Sequence, residues 1–445
     1  MICVDFEGAF DKISRNLLFK KLQRFGAGAV FISCLMTIYM FTDYIIFGKE
    51  THFCYHISAG IKQGLPLSPW LFLFYLNDIF DVFEAIYGKL TLHLLIHADD
   101  TTIIANDRVS AIQKLGTLIQ YCKQNYIKLQ LTKCEFIVIN GDHKDKAELQ
   151  TPLGCIRNKS FVTLLGCQFY ESGIVSDDIK LQLKNRFFAV HRFYNYLRAN
   201  KLAPIVVKLK VLEACVLSAL LSNCETFGKS IPKELESLYL TLIKSCLGVR
   251  LSVPNKLALV ESGLPPLKAL IYGRQLKFYR TFLSNLQENS ARKNTFDIIY
   301  EQNQFLEHYK QLDSMYADPS LIKALESRKI VADIQKHAAD GRYKFQLYVK
   351  FNPNLVVPDL STSYATRFTR LRLSSHSFPI ELGRWSRTNR ENRLCSTCGI
   401  LGDEYHYIYT CTAIDRSSLG EIPAFHELSE YVDLPQLLYL LKNYL

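Results

Sequence analysis

Short apolar runs alternate with helix-period stretches from the N-terminus to about residue 170, the alternation expected of a mixed sheet-and-helix domain. "ICVDF" is a brief apolar run with one acid, Asp5, near its end, and "SRNLLFKKLQRFG" places a helix between an N-cap, Ser14, and a stop, Gly26. "DYIIFG" and "THFCYHI" predict a strand pair around Gly48–Glu50. "LSPWLFLFYLNDIFDVFEAI" predicts one helix of about five turns, with Ser68 as N-cap and Pro69 at the first helical position. "TLHLLIH" and "TTIIA" predict two strands flanking Asp99 and Asp100, a helix starts near Val109, and "CEFIVI" predicts a further strand. The fold class is therefore α+β, an antiparallel sheet with helices on one face.

From about Ser176 the pattern changes to long helices. Ile179, Leu183, Phe187, Val190, Tyr194 and Leu197 step by three and four and predict a buried stripe. Lys180, Lys184, His191 and Arg198 share one flank of that stripe, either as phosphate contacts or as a solvated helix face. Helices are predicted at about 204–222, 232–247 and 266–286. "LQENSARKNT" reads as a polar linker, and residues 300–345 as charged helix. The uncharged run from Gly26 to Thr42 is marginal for a membrane span and is expected to be a buried helix.

Composition narrows this picture. With 445 residues the chain exceeds one ordinary core, and 49% hydrophobic with 12% aromatic residues marks it as folding. A net charge of +11 favours a polyanionic partner. Thirteen cysteines, an odd number scattered along the chain, do not resemble a secreted disulfide framework and suit a reducing compartment. No basic segment followed by an apolar one opens the N-terminus, so an intracellular protein without a membrane partner is expected.

Candidate chemistry begins at "LLIHADDTTIIA", where two adjacent carboxylates interrupt an apolar, strand-prone stretch. On the residues alone the pair is a metal site or a solvated turn. Asp5 ends another apolar run, and if the two strands are sheet neighbours Asp5 and Asp99 converge. Carboxylates are hard ligands suited to Mg2+, and a pair of such ions supports phosphoryl transfer. The chain has no phosphate-binding Gly-rich loop ending in Lys-Ser/Thr, no G-x-S-x-G and no H-E-x-x-H.

The series "VDFEGAFDKISRNLL", "GIKQGLPLSPWLFLFYLND", "HADDTTIIA", "NYIKLQLTKCEFIVIN" and "TLLGCQF" resembles, in content, order and spacing, the palm motifs of reverse transcriptases of the non-LTR (LINE-type) retrotransposons. The resemblance implies an RNA-directed DNA polymerase that uses deoxynucleoside triphosphates, an RNA template and a DNA primer or target. It implies that Asp5, Asp99 and Asp100 hold two Mg2+ ions. Phe10 matches the aromatic that blocks a ribose 2′-hydroxyl, against a plain core aromatic. Gln63 and Gly64 match the loop on the incoming nucleotide and templating base. Lys133 matches the lysine that protonates departing pyrophosphate, against a plain surface lysine. Gly166 would turn the primer-gripping hairpin. His97 departs from the aromatic usual three residues before the final acid of the family motif. The family carries a fingers region ahead of its first palm motif, so a chain truncated at its front, without fingers or endonuclease, is expected.

A second chemistry closes the chain. In "CSTCGILGDEYHYIYTC" two residues separate Cys395 from Cys398, seven separate Cys398 from His406, and four separate His406 from Cys411. Such a set forms a tetrahedral structural Zn2+ site or a group of reduced, buried cysteines. A similar segment ends many LINE-type enzymes, which implies the zinc knuckle. The expected division is a palm at 1–175, a helical thumb at 176–290, a helical extension or linker at 291–385 and the knuckle with a C-terminal helix at 386–445. A different class of function is a non-catalytic nucleic-acid-binding remnant that uses only the basic helix and the knuckle.

Overall fold

The first apolar run becomes β1, Ile2–Val4, with Ile2 and Val4 buried on one side and Cys3 half-buried between them. In the computed structural model, residues 1–40, 43–47, 52–89, 91–229, 231–285, 305–351 and 362–445 are described. They form one unit built on Met1–Gln182 and another on Leu183–Ser284 with Phe305–Leu445.

In the first unit, helices α1, Arg15–Arg24, and α2, Ala29–Met40, precede an antiparallel pair, β2, Asp43–Phe47, and β3, His52–His56. Helices α3, Ser68–Leu76, and α4, Asp78–Tyr87, lead to the hairpin of β4, Leu94–His97, and β5, Asp100–Ile103. Then come α5, Arg108–Gln124, and β6, Glu135–Phe136; β7, Leu149–Thr151; and β8, Gly154–Asn158. The sheet runs β4-β5-β1-β6-β8-β7, with β1 inside it. It is antiparallel, as expected, apart from the parallel pair β6 and β8. A separate hairpin, β9, Phe161–Leu164, and β10, Cys167–Tyr170, turns at Leu165 (φ +50°) and Gly166 (φ +77°). Two consecutive positive φ values are the signature of the tight turn that matches strand twist, so the glycine is needed there.

Local signals explain most of these elements. Ser14 caps α1 by accepting from the Leu17 N–H at 3.4 Å, and Asp107 caps α5 by accepting from Ser110 at 2.8 Å. Lys21 of α1 is buried, and burial pushes its pKa down. Its ammonium is satisfied by the Tyr75 carbonyl (2.7 Å), Asp78 (2.7 Å) and the Tyr121 hydroxyl (3.1 Å). That satisfaction is what allows a cation in a core.

Four expectations are corrected. The long helix after Pro69 is two, because hydrogen bonding tightens at Asn77: its N–H reaches Phe74 O, and the Phe80 N–H reaches Asn77 O. Ser68 does not cap; its buried hydroxyl donates to Lys62 O instead. Helix α2 forms, but among its described side chains only Leu35 and Tyr39 are buried, while Val30 stays 79% exposed. An apolar helix with a neighbour on one side buries one edge only. In α6, Val175–Ala199, Ile179, Leu183 and Val190 are buried as expected, but Phe187 is 46% exposed. Ala189 and Phe193 take the buried positions instead.

Helix α6 starts in the first unit and ends in the second, which is helical. Ile205–Val211 continues through a wider turn, Leu212–Leu217, and Lys233–Leu247, Leu267–Thr281 and Ile322–Ala339 follow the expected segments. Asn255–Ser262, Thr362–Arg372 and Pro379–Trp385 are further helices. The linker "LQENSARKNT" lies outside the described residues. Leu347, Phe368, Leu371, Phe378, Tyr407 and Leu437 share one core, which seats the Cys-His segment against its helices. Beside it the buried Glu404 accepts from His376 (2.9 Å), Ser374 (3.1 Å) and Tyr343 (2.6 Å). Burial alone would raise its pKa, but these partners outweigh it and hold Glu404 down to about 2.

Candidate active site and metal centre

Sheet register brings the first acids together. Val4 pairs with Thr101 and His97 pairs with Asp100, so Asp5, just past β1, stands beside the β4–β5 turn formed by Ala98 and Asp99. Ala98 takes φ +53°, a left-handed conformation that keeps this turn tight. Asp99 and Asp100 are exposed. Burial raises the Asp100 pKa; Asp99 and Asp5 raise it further, while His97 lowers it. The acids therefore repel one another through Asp100. Asp5 Oδ2 is buried without a hydrogen-bond partner, and Lys133 Nζ is 3.5 Å away, an ion pair too long for a good hydrogen bond. An orphaned carboxylate oxygen beside two further acids fits a hard divalent cation.

Lys133 reaches this place because the chain after β1 stays paired. Glu7 N–H donates to Lys128 O (2.8 Å) and Gln130 N–H to Asp5 O (2.9 Å), which aims the turn Leu131–Lys133 at Asp5.

The loop with Gln63 and Gly64 is tied to the segment after Asp5. Ile61 N–H donates to Phe10 O and Gly60 N–H to Ile13 O, both at 2.8 Å, and Gln63 Nε2 donates to Asp11 at 3.0 Å. The Phe10 ring stacks on Phe72 at 5.0 Å while staying half-exposed. Gly60 has φ +80°, and a Cβ there would lie 2.5 Å from Asp11 O. Gly60→Ala is expected to cost about 2 kcal/mol or more, from left-handed strain plus the backbone clash. A drop in denaturant midpoint at unchanged slope would show it.

At the other end of the chain, Cys395 Sγ and Cys398 Sγ lie 3.8 and 3.9 Å from Cys411 Sγ. With His406 these ligand atoms all fall within 4.8 Å of one another, the one such group of three or more among the described residues. Four ligands 2.3 Å from a tetrahedral centre sit about 3.8 Å apart, so the spacing is that of a zinc site. His406 Nε2 is buried with no hydrogen-bond partner, while Nδ1 bonds to Thr410 Oγ1 at 3.0 Å. Such a partner on the second nitrogen orients a ligating imidazole. Burial pushes the Cys395 thiol up, but the Cys398 and Thr397 N–H groups, Tyr407 and His406 outweigh it and hold it at about 6.

Comparison with known proteins adds the decisive observation: residues 1–169 match the family described as "Reverse transcriptase (RNA-dependent DNA polymerase)". The N-terminal part of the chain belongs to the reverse transcriptases. The chain is 24% identical over 145 residues to the Pol polyprotein of type-1 retrotransposable element R2 from Popillia japonica, over 31% of this chain. It is 26% identical over 148 residues to that of type-2 retrotransposable element R2DM from Drosophila melanogaster, over 32% of this chain. Those stretches span 24% and 14% of the two relatives.

The reverse transcriptase domain thus contains all three acids, Lys133, Phe10, Gln63 and Gly64. Lys180, Lys184, His191 and Arg198 are all exposed on α6, on the shared flank that their spacing implied. Sequence reasoning missed Arg15. Its buried guanidinium donates to Gly60 O (2.8 Å), Ala59 O (3.0 Å), Ile57 O (2.5 Å) and Tyr39 O, and so fixes the loop that carries Gln63. No local pattern announces a contact across so many residues. Arg416 was missed too: it donates to the carbonyls of Tyr407, Ile408, Cys411 and Ile414 and so holds the loop of the sulfur cluster. Among the described residues no helix is long and apolar enough to cross a membrane.

Proposed function

We propose that the chain is an RNA-directed DNA polymerase of the non-LTR retrotransposon kind, extending a DNA primer on an RNA template with deoxynucleoside triphosphates inside the cell. The observation that carries this is the meeting of Asp5, at the end of β1, with the Asp99–Asp100 turn in the adjacent strand pair, with Lys133 beside them. In this reading Asp5, Asp99 and Asp100 hold two Mg2+ ions, which supply charge neutralisation and alignment for in-line displacement at the α-phosphate. Lys133 is 63% exposed and free to turn toward departing pyrophosphate and give it a proton. Gln63 and Gly64 contact the nucleotide and templating base, and the positive φ of Gly64 (+87°) keeps that loop open to close approach.

Phe10, held by Phe72, stands where a 2′-hydroxyl would enter. Phe10→Ala is expected to raise ribonucleotide use relative to deoxynucleotide use roughly tenfold or more. Single-nucleotide incorporation with each substrate checks it; an unchanged ratio assigns Phe10 to the core alone. The exposed flank of α6 (Lys180, Lys184, His191, Arg198) serves as a phosphate grip. Residues 1–175 are read as palm, 176–290 as thumb, 291–385 as helical extension and 386–445 as a knuckle built on structural Zn2+. Primer extension by the chain on an RNA template with Mg2+ tests the whole reading, and absence of incorporation would overturn it.

A further inference from the structure

Outside these sites, positive charge concentrates where the end of helix Lys233–Leu247 meets helix Thr362–Arg372. Gly248 closes the first helix in a left-handed conformation (φ +68°), and the chain then turns so that Arg250 reaches across. The Arg250 N–H donates to Ser375 Oγ at 2.9 Å, Nη1 to His376 O at 2.9 Å and Nη2 to Ser377 Oγ at 3.1 Å. Its guanidinium lies 3.8 Å from the centre of the Trp385 ring. From the second helix, Arg370 Nε donates to Gly248 O (2.8 Å) and Nη1 to Leu445 O (2.6 Å). A cavity of about 350 Å3 opens between the two arginines and is lined also by Ser375, Ser377 and Asn443.

Arg367 stands one helical turn before Arg370, 5.6 Å over the Tyr364 ring. None of the three arginines pairs with a side-chain carboxylate among the described residues. Arg370 is pushed down first by burial and then by Arg250 and Arg367. The acid that partly supports Arg250 is Glu381, already engaged by Lys344 and Arg384. Three like charges held together, two of them partly withdrawn from water, are offset only in part by the Leu445 carboxylate, which meets Arg370 alone, so a further anion is favoured there. Ser375 and Ser377 accept from Arg250, which leaves their hydroxyl protons for a ligand oxygen.

The geometry points to a phosphodiester site: a nucleic-acid strand seats a phosphate in the cavity against Arg370, Ser375 and Ser377, with Arg367 on the neighbouring phosphate. Charge-assisted bonds from planar guanidinium groups suit phosphate oxygens. Trp385, 44% exposed beside Arg250, offers an aromatic surface for the adjoining base. This assignment takes its ligand class from the proposed function but needs no catalysis.

The test uses the full chain in a Trp70→Phe background, which leaves Trp385 as the remaining one of two tryptophans. It is titrated with a short single-stranded oligonucleotide, without Mg2+ or nucleotides, and separately with inorganic phosphate. A saturable change in Trp385 emission is expected with the oligonucleotide. Among the described residues the Arg367 side chain makes a ring contact with Tyr364 and no hydrogen bond or ion pair, so Arg367→Gln isolates binding. That change should weaken affinity several-fold and flatten the salt dependence by about 0.7 in log-log slope. Arg367→Gln/Arg370→Gln should weaken it further. Equal affinity and slope in both variants would overturn the site. A response to phosphate as strong as that to the oligonucleotide would overturn the strand assignment. A chain that extends no primer yet loses affinity on Arg367→Gln keeps this site and loses only the polymerase reading.

Discussion

A chain carrying Cys395→Ser is expected to purify without zinc and with a disordered C-terminal segment, whereas the unaltered chain is expected to purify with one zinc ion per molecule. The three sulfurs and the orphaned His406 Nε2 converge on one point, and the weak bonds that Tyr407 and Thr412 give to Cys395 and Cys398 leave that convergence unexplained without a cation. The Cys395 thiol is held at about 6, because its N–H donors and hydrogen-bonding neighbours outweigh the burial that pushes it up. A serine hydroxyl does not ionise at neutral pH and is a far harder ligand, so the tetrahedron loses a corner. Zinc-finger peptides owe roughly 10–16 kcal/mol to their metal. Here apolar packing also secures the segment, since Cys395, Tyr407 and Ile408 lie in the core with Phe378 and Leu437. The loss should therefore be several kcal/mol, enough to expose the segment to protease while helices elsewhere persist. Metal content by mass spectrometry and limited proteolysis read the outcome. The exposed, solitary Cys215→Ser is the control and should keep its zinc. Equal metal content in both variants would refute the knuckle.

What the sequence reveals follows the range of the forces involved. The Asp99–Asp100 hairpin and the Ser14 cap were legible, because each is decided within a few residues by strand alternation or a side-chain oxygen; the turn at Gly166 was reached only through the family resemblance. The Cys-His spacing was legible for the same reason: a pair two residues apart presents both sulfurs to one point. The exposed apolar surface of α2 was not, because periodicity gives the apolar character of a helix but not the number of neighbours that cover it. Phe187 failed similarly; Ala189 and Phe193 offered an alternative buried edge a fraction of a turn away. Arg15 and the Glu404 partners were illegible because buried ions are matched by residues far along the chain. A buried arginine looks, in sequence, like any other surface arginine.

Asp99→Ala is expected to abolish primer extension while leaving the chain as stable as before, or slightly more so in the absence of Mg2+. In the proposed reading Asp99 helps to hold the cations that neutralise charge developing during displacement, so its removal takes that stabilisation away. Several kcal/mol of transition-state stabilisation corresponds to on the order of a thousandfold or more in rate. The stability effect has the opposite sign because the acids repel. Asp100 is raised first by burial and next by Asp99, so removing Asp99 lets Asp100 ionise more readily. A carboxyl whose pKa is raised on folding favours the folded state at low pH and loses that advantage as pH rises through the folded value. With Asp99 gone the loss shrinks, and the gain in melting temperature should appear near neutral pH rather than in acid. Single-turnover incorporation and thermal melting, each with and without Mg2+, separate the two effects. Mg2+ should stabilise the unaltered chain more than the variant, since only the former keeps the full acid set. Lys133→Ala supplies the contrast: its removal should slow incorporation by about a hundredfold or more, as for loss of a general acid, while Mg2+ still raises the melting temperature. Incorporation that survives Asp99→Ala, or a Mg2+ response unchanged by it, would sink the assignment of this turn to catalysis. An acid pair that costs stability without metal and is needed for turnover with it is what distinguishes a catalytic turn from a solvated one.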